Sequence, residues 1–274
     1  MKYIRRVLDS AAAVAAIALA TGASATTCET QVLLYGMNDV SQDNAGPDQI
    51  VRGDLGTGVC SALHTFNAGD DDMESLAWDP VLHVFWATNA NILLHFDPLT
   101  YAETNVGDTG VGDIDGVAVQ PGTGTLFAVN YGGNDLMTLD KNTAVATVLN
   151  GHLKEGHRLE DLAFDCLGRL WVLTSDQLVR VNPADGSVIS SVSLSGATSM
   201  EALTWWEGGQ TLLSAADRGN FKDLVRIDLN TGAATFLSPT LHSGFKDIEA
   251  LALLPAPNVP VQPVDWSRVK RIYR

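Results

Sequence analysis

Short apolar runs alternate with polar turns along most of the chain, in a pattern that repeats. One phrase, an acid followed by apolar residues, occurs five times: Glu74-Ser-Leu-Ala-Trp, Asp115-Gly-Val-Ala-Val, Glu160-Asp-Leu-Ala-Phe, Glu201-Ala-Leu-Thr-Trp and Glu249-Ala-Leu-Ala-Leu. The other apolar runs and the Asp- or Asn-led turns recur in step with it, so each repeat contains four short strands. Four strands at a period of about 44 residues predict the blade of a β-propeller.

The phase of the repeat predicts how the ring closes. The first unit, 32–66, lacks the acidic phrase, and the last unit, 249–254, contains nothing else. We therefore predict an all-β, five-bladed propeller of four-stranded blades, in which the C-terminal strand completes the N-terminal blade. Apolar residues at equivalent repeat positions are predicted to pack between the blades: Trp78, Val119, Phe164, Trp205 and Leu253, together with Leu34, Phe85, Phe127, Trp171 and Leu213.

Both ends of the chain differ in composition from the repeats. Lys2, Arg5 and Arg6 precede an apolar run at 11–20, and Ala23-Ser-Ala25 resembles a cleavage signal, which predicts a signal peptide over 1–25. The propeller domain is then 26–255, and a Pro-rich linker with a basic tail occupies 256–274. We expect a secreted or periplasmic protein without a membrane span, because the apolar run is too short to cross a bilayer.

The charge balance excludes one class of partner. The 274 residues carry a net charge of −15. Because nucleic-acid binding depends on clustered Lys and Arg, we expect no nucleic-acid partner. We expect a monomer.

The acids that open the five phrases are candidate metal ligands. In a propeller the innermost strands line the central channel, so these acids should converge at one mouth. Asp72, Asp113 and Asp247 each precede one of them by two residues and should face the same way. The predicted metal ligands are Glu74, Asp115, Glu160, Glu201, Glu249, Asp72, Asp113 and Asp247.

Such a concentration of like charge can be relieved in three ways: a cation binds, some acids stay protonated, or the ring is wide and hydrated. Calcium is the predicted cofactor, because it accepts six to eight oxygen ligands. The structural alternative is that each acid caps its strand by accepting N–H groups from a neighbouring blade.

Polar residues in loops on the same face are candidate ligand-binding residues. They are Asn38, Asp39, Asn89, Asn130, Tyr131, Asp217 and Arg218. We expect long loops at 39–48 and 216–222, in blades that ring closure places side by side, and a ligand groove between them. A glycan, peptide or protein is the expected ligand.

The three cysteines suggest one disulfide. Cys28 precedes the first strand and Cys60 lies in the outer strand of the same blade, so these two are predicted to pair. Cys166 is then expected to be a free thiol, on the face opposite the acids.

The Glu-x-Leu-Ala openings and the Asp-x-Asn-Thr-Gly-type turns, over about 32–254, resemble those of exported YVTN-type, quinoprotein-like and phytase-like propellers. Phytase-like propellers imply calcium-dependent phosphoester chemistry, but no basic cluster is evident on the expected face to hold phosphate. A binding or interaction propeller is therefore the first hypothesis. The alternative is a metal-dependent hydrolase or lyase that uses the same carboxylates, with an unliganded acid or a histidine as base.

Overall fold

The chain forms five antiparallel sheets of four strands each. A computed structural model describes residues 31–38, 47–55, 60–67, 72–153, 157–237 and 247–255. We number the blades I to V in the order in which the chain first enters them. The strands of blades I and II are β1 (Gln31–Asn38), β2 (Gln49–Gly53), β3 (Cys60–Thr65) and β20 (Ile248–Pro255), then β4 (Ala77–Asp79), β5 (Val84–Asn89), β6 (Ile92–Phe96) and β7 (Glu103–Asp108).

The other three blades follow in chain order. Blade III contains β8 (Ile114–Val119), β9 (Leu126–Asn130), β10 (Leu136–Leu139) and β11 (Ala146–Asn150). Blade IV contains β12 (Leu159–Phe164), β13 (Leu170–Thr174), β14 (Gln177–Val181) and β15 (Val188–Ser193). Blade V contains β16 (Thr204–Trp206), β17 (Thr211–Arg218), β18 (Phe221–Ile227) and β19 (Ala234–Phe236). The predicted five-bladed propeller is confirmed.

The ring closes within blade I, as the phase of the repeat predicts. Strand β20 pairs with β1 in an antiparallel register that places Leu34 opposite Leu253, and the order of the sheet is β20-β1-β2-β3. The last described strand is therefore the innermost strand of the first blade. Its pairing covers the β1 edge that would otherwise be open.

The hydrophobic core is divided among the junctions between blades. Five buried clusters each join two neighbouring blades, I–II, II–III, III–IV, IV–V and V–I. The positions predicted from the repeat are buried, except that Trp78 and Val119 are half-buried. Apolar residues at equivalent positions thus supply the blade-to-blade packing that holds the ring together.

The recurring Asp- or Asn-led turns share one hydrogen-bond pattern. Asp97, Asp140, Asn182 and Asp228 each accept the backbone N–H two residues further on, as Asx turns do. Gly186 and Gly232 have φ of 72° and 69°, the left-handed backbone that favours glycine near the end of two of these turns.

The prediction of a long loop at 216–222 is wrong. Strands β17 and β18 continue through this segment, with Asp217 paired to Lys222 and Arg218 to Phe221. Gly219 and Asn220 alone form the turn, and Gly219 has the positive φ that such a tight turn needs. The other predicted long loop lies mostly outside the described residues, as do Asp39, the leader 1–25 and the tail 256–274. Within the described residues, no helix is long and apolar enough to cross a membrane.

One cysteine prediction is also wrong, and the other cannot be placed on the structure. The predicted Cys28–Cys60 pair includes Cys28, which lies outside the described residues. Cys166, expected as a free thiol, is disulfide-bonded.

Candidate functional site

The phrase acids meet at one mouth of the central channel, here called the acidic mouth. Each stands at or just before the start of an innermost strand, and their charges act on one another across the ring. Glu249 interacts electrostatically with Glu201 and Glu74, and Asp115 interacts in the same way with Glu160. All five phrases therefore contribute to one electrostatic site, which the repeat pattern predicted.

Hydrogen bonds place the neighbouring loops on the same face. The N–H groups of Ala90 and Tyr131 donate to the carbonyls of Asp72 and Asp113, at 2.9 and 3.0 Å. The turns between second and third strands therefore lie directly beside the connections that carry the acids. This bonding positions the backbone of the acidic mouth.

A ring of aliphatic side chains stands two residues after the phrase acids. Its members are at most 3% exposed and are Leu76, Val117, Leu162, Leu203 and Leu251. All five line one cavity of the central channel, and this ring forms an apolar floor beneath the carboxylates. The floor removes water from one side of the acids, which disfavours their charged forms.

Three acids of blades II and III form a compact triad. Glu74, Asp113 and Asp115 each offer an oxygen, and these oxygens lie within 4.8 Å of one another. Asp115 is only 5% exposed. Glu74 Oε2, Asp113 Oδ1 and Asp115 Oδ2 are buried without a hydrogen-bond partner in the described part of the chain. Buried oxygens of this kind are costly unless something pairs with them.

Two members of the triad, Glu74 and Asp115, have strongly raised pKa values. Burial raises the pKa of Glu74 to about 9, and the charges of Asp115, Asp113 and Asp72 add to the shift. Burial also raises the pKa of Asp115 to about 8, although the Arg158 guanidinium opposes the shift. In the absence of a bound cation, the triad therefore holds protons at neutral pH.

A second triad, in blades V and I, contains a cation of the protein itself. Oxygens of Glu201, Asp247 and Glu249 lie within 4.8 Å of one another. The Lys222 ammonium contacts Glu201 and lies 3.8 Å from Asp247 Oδ1 and 3.2 Å from Asp217 Oδ1.

Lys222 is only 4% exposed. Burial alone would lower its pKa, but the carboxylates of Glu201 and Asp217 outweigh burial and raise it. The second triad is thus partly neutralised internally. Burial and the charges of Glu201 and Asp247 nevertheless raise the pKa of Glu249 to about 9.

Glu160 belongs to neither triad and pairs with an arginine. Arg158 Nε lies 3.0 Å from Glu160 Oε2, and its guanidinium stacks 4.5 Å from the centre of the Tyr131 ring. Burial raises the pKa of Glu160 to about 7, while Arg158 opposes the shift. The eight predicted metal ligands therefore comprise two triads, the Arg158-paired Glu160, and Asp72, which acts on Glu74 through its charge.

Two acids outside the predicted set cap inner strands across blades. Asp48 Oδ2 accepts the N–H of Met73 at 2.8 Å, from blade I to the start of blade II. Asp161 Oδ2 accepts the N–H of Leu203 at 2.6 Å, from blade IV to blade V. Sequence reasoning missed both, although Asp161 follows Glu160 directly.

The predicted ligand-binding residues have diverse surroundings. Asn38 and Asn130 are buried, and Asn130 Oδ1 accepts the N–H of Asp135 at 2.8 Å, within its own turn. Asn89 ends β5 and is half-buried. Tyr131 is half exposed beneath Arg158. Arg218 donates to Asp223 at 3.3 Å.

Comparison with known proteins supports the architecture. No family model matches the chain, and no curated protein matches it either. Among solved structures, one from a nidogen/laminin complex is 14% identical, with a TM-score of 0.55 over 82% of this chain and 98% of that chain. A protein of unknown function from Bacteroides caccae is 12% identical, with a TM-score of 0.53 over 83% of this chain and 100% of the other. At these identities the likeness shows the fold alone.

Proposed function

We propose that the protein is an exported binding propeller whose acidic mouth holds one divalent cation, calcium, and whose loops on that face recognise a glycan, peptide or protein. The observation that carries the proposal is the triad of Glu74, Asp113 and Asp115, with one buried, unpaired oxygen on each residue. A hard cation would satisfy all three oxygens, and calcium tolerates irregular oxygen geometry.

The two triads differ in their internal charge compensation, which favours the first as the cation site. Lys222 already lies among the carboxylates of the second triad. The first triad has only the indirect influence of Arg158, which is itself paired with Glu160. A divalent cation therefore gains more from the first triad, where it replaces protons rather than competing with a buried ammonium.

The ion pairs of Arg158 and Lys222 favour a binding role over the hydrolase or lyase alternative. Phosphoester chemistry needs positive groups that can hold the substrate phosphate. Arg158 and Lys222, the basic residues whose charges act on the acidic mouth, both form ion pairs with carboxylates.

Export also belongs to the proposal. The predicted leader supports it, and so does the disulfide at Cys166, because disulfides persist in oxidising compartments.

Thermal unfolding of the chelated mature protein, with and without calcium, tests the cation site. Binding at a hundredfold excess over the dissociation constant adds about 2.7 kcal/mol of stability, which corresponds to a rise in Tm of roughly 5–10 °C. Asp113→Asn and Glu74→Gln should abolish the rise, whereas Glu201→Gln, in the second triad, should retain most of it. A rise that survives both first-triad substitutions would contradict the assignment.

The binding role is tested with glycan and peptide arrays probed by the calcium-loaded protein. We expect retention of a ligand class that chelation or Asp113→Asn weakens. Turnover of a phosphoester or glycan by the calcium-loaded protein, without stable retention, would overturn the binding role in favour of the hydrolase or lyase.

A further inference from the structure

The first triad offers a bound cation only part of a coordination shell. Glu74, Asp113 and Asp115 each have one buried oxygen without a hydrogen-bond partner in the described part of the chain, and the three residues lie close enough to share an ion. Three such oxygens fill about half of a calcium shell, which takes about six to eight oxygen ligands. The remaining positions of the ion therefore belong to water or to oxygens of a ligand.

The charge of the acidic mouth limits which ligands the ion can recruit. The five phrase acids and their three acidic neighbours stand there, and the basic residues whose charges act on them are Arg158 and Lys222. One calcium ion adds two positive charges, so the carboxyl groups still outnumber the positive charges. The mouth therefore repels an anionic ligand, whereas it does not repel a neutral one.

An aromatic ring and a guanidinium, both accessible to solvent, lie beside the first triad. The backbone N–H of Tyr131 donates to the carbonyl of Asp113 at 3.0 Å, and Tyr131 is 50% exposed. The Arg158 guanidinium lies 4.5 Å from the centre of the tyrosine ring and interacts electrostatically with Asp115. Tyr131 and Arg158, here called the rim, are therefore available to a ligand that contacts the ion.

Arg158 can donate to a neutral ligand while it stays paired with Glu160. The ion pair is made through Nε, which lies 3.0 Å from Glu160 Oε2, and the arginine side chain is 45% exposed. A guanidinium carries five N–H donors, so the terminal amino groups can donate to a ligand oxygen. A neutral acceptor does not require the positive charge that Glu160 already compensates, whereas a phosphate does.

The exposed apolar surface of the acidic face is aromatic. Among the described residues, the large apolar side chains exposed on this face are Tyr131 and, at the start of β18, Phe221. An aromatic ring packs well against the C–H groups on one face of a sugar ring. A peptide helix would instead need a row of apolar anchors in a groove. One half-exposed ring beside the triad therefore favours a sugar over a peptide.

We propose that the ligand of the acidic mouth is a neutral sugar that binds through a vicinal pair of hydroxyls. The two hydroxyl oxygens coordinate the calcium ion of the first triad, the sugar ring packs against Tyr131, and Arg158 donates to a neighbouring sugar oxygen. A hydroxyl oxygen can bind the ion while its proton donates to a carboxylate, so a hydroxyl pair suits a site built from acids. This inference rests on the proposed function, because it requires the cation site.

Calorimetric titration of the calcium-loaded protein with methyl glycosides of neutral hexoses tests the ligand class. We expect saturable binding of a glycoside with a free vicinal hydroxyl pair, and loss of binding on chelation or on O-methylation of that pair. Binding that survives either change, or retention of acidic glycans or peptides alone, would overturn the inference. Calcium binding without sugar binding would overturn this inference and leave the cation site intact, whereas absence of calcium binding would overturn both.

Terbium luminescence tests whether the sugar contacts the ion directly. Terbium can replace calcium at oxygen sites, and its emission lifetimes in light and heavy water report how many water molecules it coordinates. We expect the bound sugar to displace about two water molecules from the protein-bound ion, one for each hydroxyl. Sugar binding with an unchanged number of coordinated waters would overturn direct coordination.

Substitutions of Tyr131 test the packing of the sugar ring. Tyr131→Ala should weaken sugar binding about tenfold without changing calcium affinity, and Tyr131→Phe should retain sugar binding because it keeps the ring. Phe221→Ala is the matched control, since this exposed ring precedes Lys222 of the second triad, and it should bind the sugar normally. Equal losses from Tyr131→Ala and Phe221→Ala would overturn the role of Tyr131.

Substitution of Arg158 separates sugar binding from ion binding. Arg158→Met removes the donor to the sugar and also a positive charge that acts on Asp115. We expect it to weaken sugar binding severalfold while calcium affinity stays the same or rises, because the ion then meets less positive charge. Unchanged sugar affinity in Arg158→Met would overturn the donor role.

Discussion

Gly232 shows how a single turn residue constrains the packing of blades IV and V. Its φ is +69°, and a Cβ added there would lie 2.2 Å from the carbonyl oxygen of Ser193. Gly232→Ala therefore combines a left-handed backbone with a backbone clash. We expect it to lower the free energy of unfolding by about 2 kcal/mol or more, measured by urea denaturation. Gly132→Ala is the control, since its Cβ would meet open space. Equal losses from the two variants would contradict this interpretation.

Lys222 is the residue on which the second triad depends. Replacing it by methionine removes the ammonium that contacts Glu201 and Asp217 and leaves their carboxylates uncompensated. We expect Lys222→Met to lower the free energy of unfolding by about 3–5 kcal/mol at pH 8, measured by urea denaturation. His157→Gln, which breaks the contact with the half-exposed carboxylate of Asp176, is the control and should cost about 1 kcal/mol or less. A loss no larger than that of the control would show that the ion pairs of Lys222 contribute little.

The roles of single residues were only partly predictable from the sequence. The Asp-led turns were readable because an Asx turn depends on residues two positions apart. Lys222 was not, because its partners come from other strands and connections, and a lysine between Phe221 and Asp223 gives no sign of burial. Asp161 was missed for the same reason, since the N–H that it accepts belongs to another blade.

The carboxyl groups at the start of the inner strands give the free energy of unfolding an unusual dependence on pH. In the folded state burial raises the pKa of Glu74 and Glu249 from 4.5 to about 9. Between these values the folded protein binds more protons than the unfolded chain, so the free energy of unfolding must fall as pH rises. We expect Tm of the calcium-free protein to drop by several degrees between pH 6 and 9, measured by differential scanning calorimetry.

Calcium and a variant provide the controls for this pH dependence. Saturating calcium should flatten the slope, because the ion binds the ionised carboxylates and replaces their protons. Glu74→Gln should also reduce it, because the amide does not titrate. A Tm that rises from pH 6 to 9 without calcium would contradict the raised pKa values.

The inner strands were the most predictable elements and the hairpin of blade V was the least. The repeated acidic phrase marks each inner strand, because the channel imposes the same surroundings on every blade. The segment 216–222 contains charged residues that indicate a loop. In the structure these residues lie on hydrogen-bonded strands, where Asp217 and Lys222 pair across the hairpin. Cross-strand charge pairing allowed a strand that composition did not indicate.

The closure of the ring makes the C-terminal strand essential to the whole molecule. Deleting 248–274 would remove β20, expose the β1 edge and take Leu251 and Leu253 from the core between blades V and I. We expect this protein to lose its cooperative thermal transition, followed by circular dichroism. Deleting only 256–274 should preserve the transition. Similar melts for the two truncations would contradict closure through β20.

At the scale of the molecule, the fold was predictable from the sequence. The separation of the acids into two triads and an Arg158-paired Glu160 was not. A repeat of constant period determines the number of blades, and its phase determines the closure. The repeat also makes the five acids look equivalent. Their symmetry is broken by Arg158 and Lys222, which stand outside the repeated phrase and reach the acids only in the folded ring. Which acids remain available to a cation therefore depends on tertiary structure.

Calorimetric titration of calcium into the chelated protein at pH 7, in two buffers of different ionisation enthalpy, tests the central claim most directly. At this pH, Glu74 and Asp115 hold protons that a bound ion must displace, since their pKa values are about 9 and about 8. We predict one ion per chain with net proton release, and loss of both signals in Asp113→Asn. Absence of saturable heat in both buffers, or binding that Asp113→Asn leaves unchanged, would contradict a cation site at this triad.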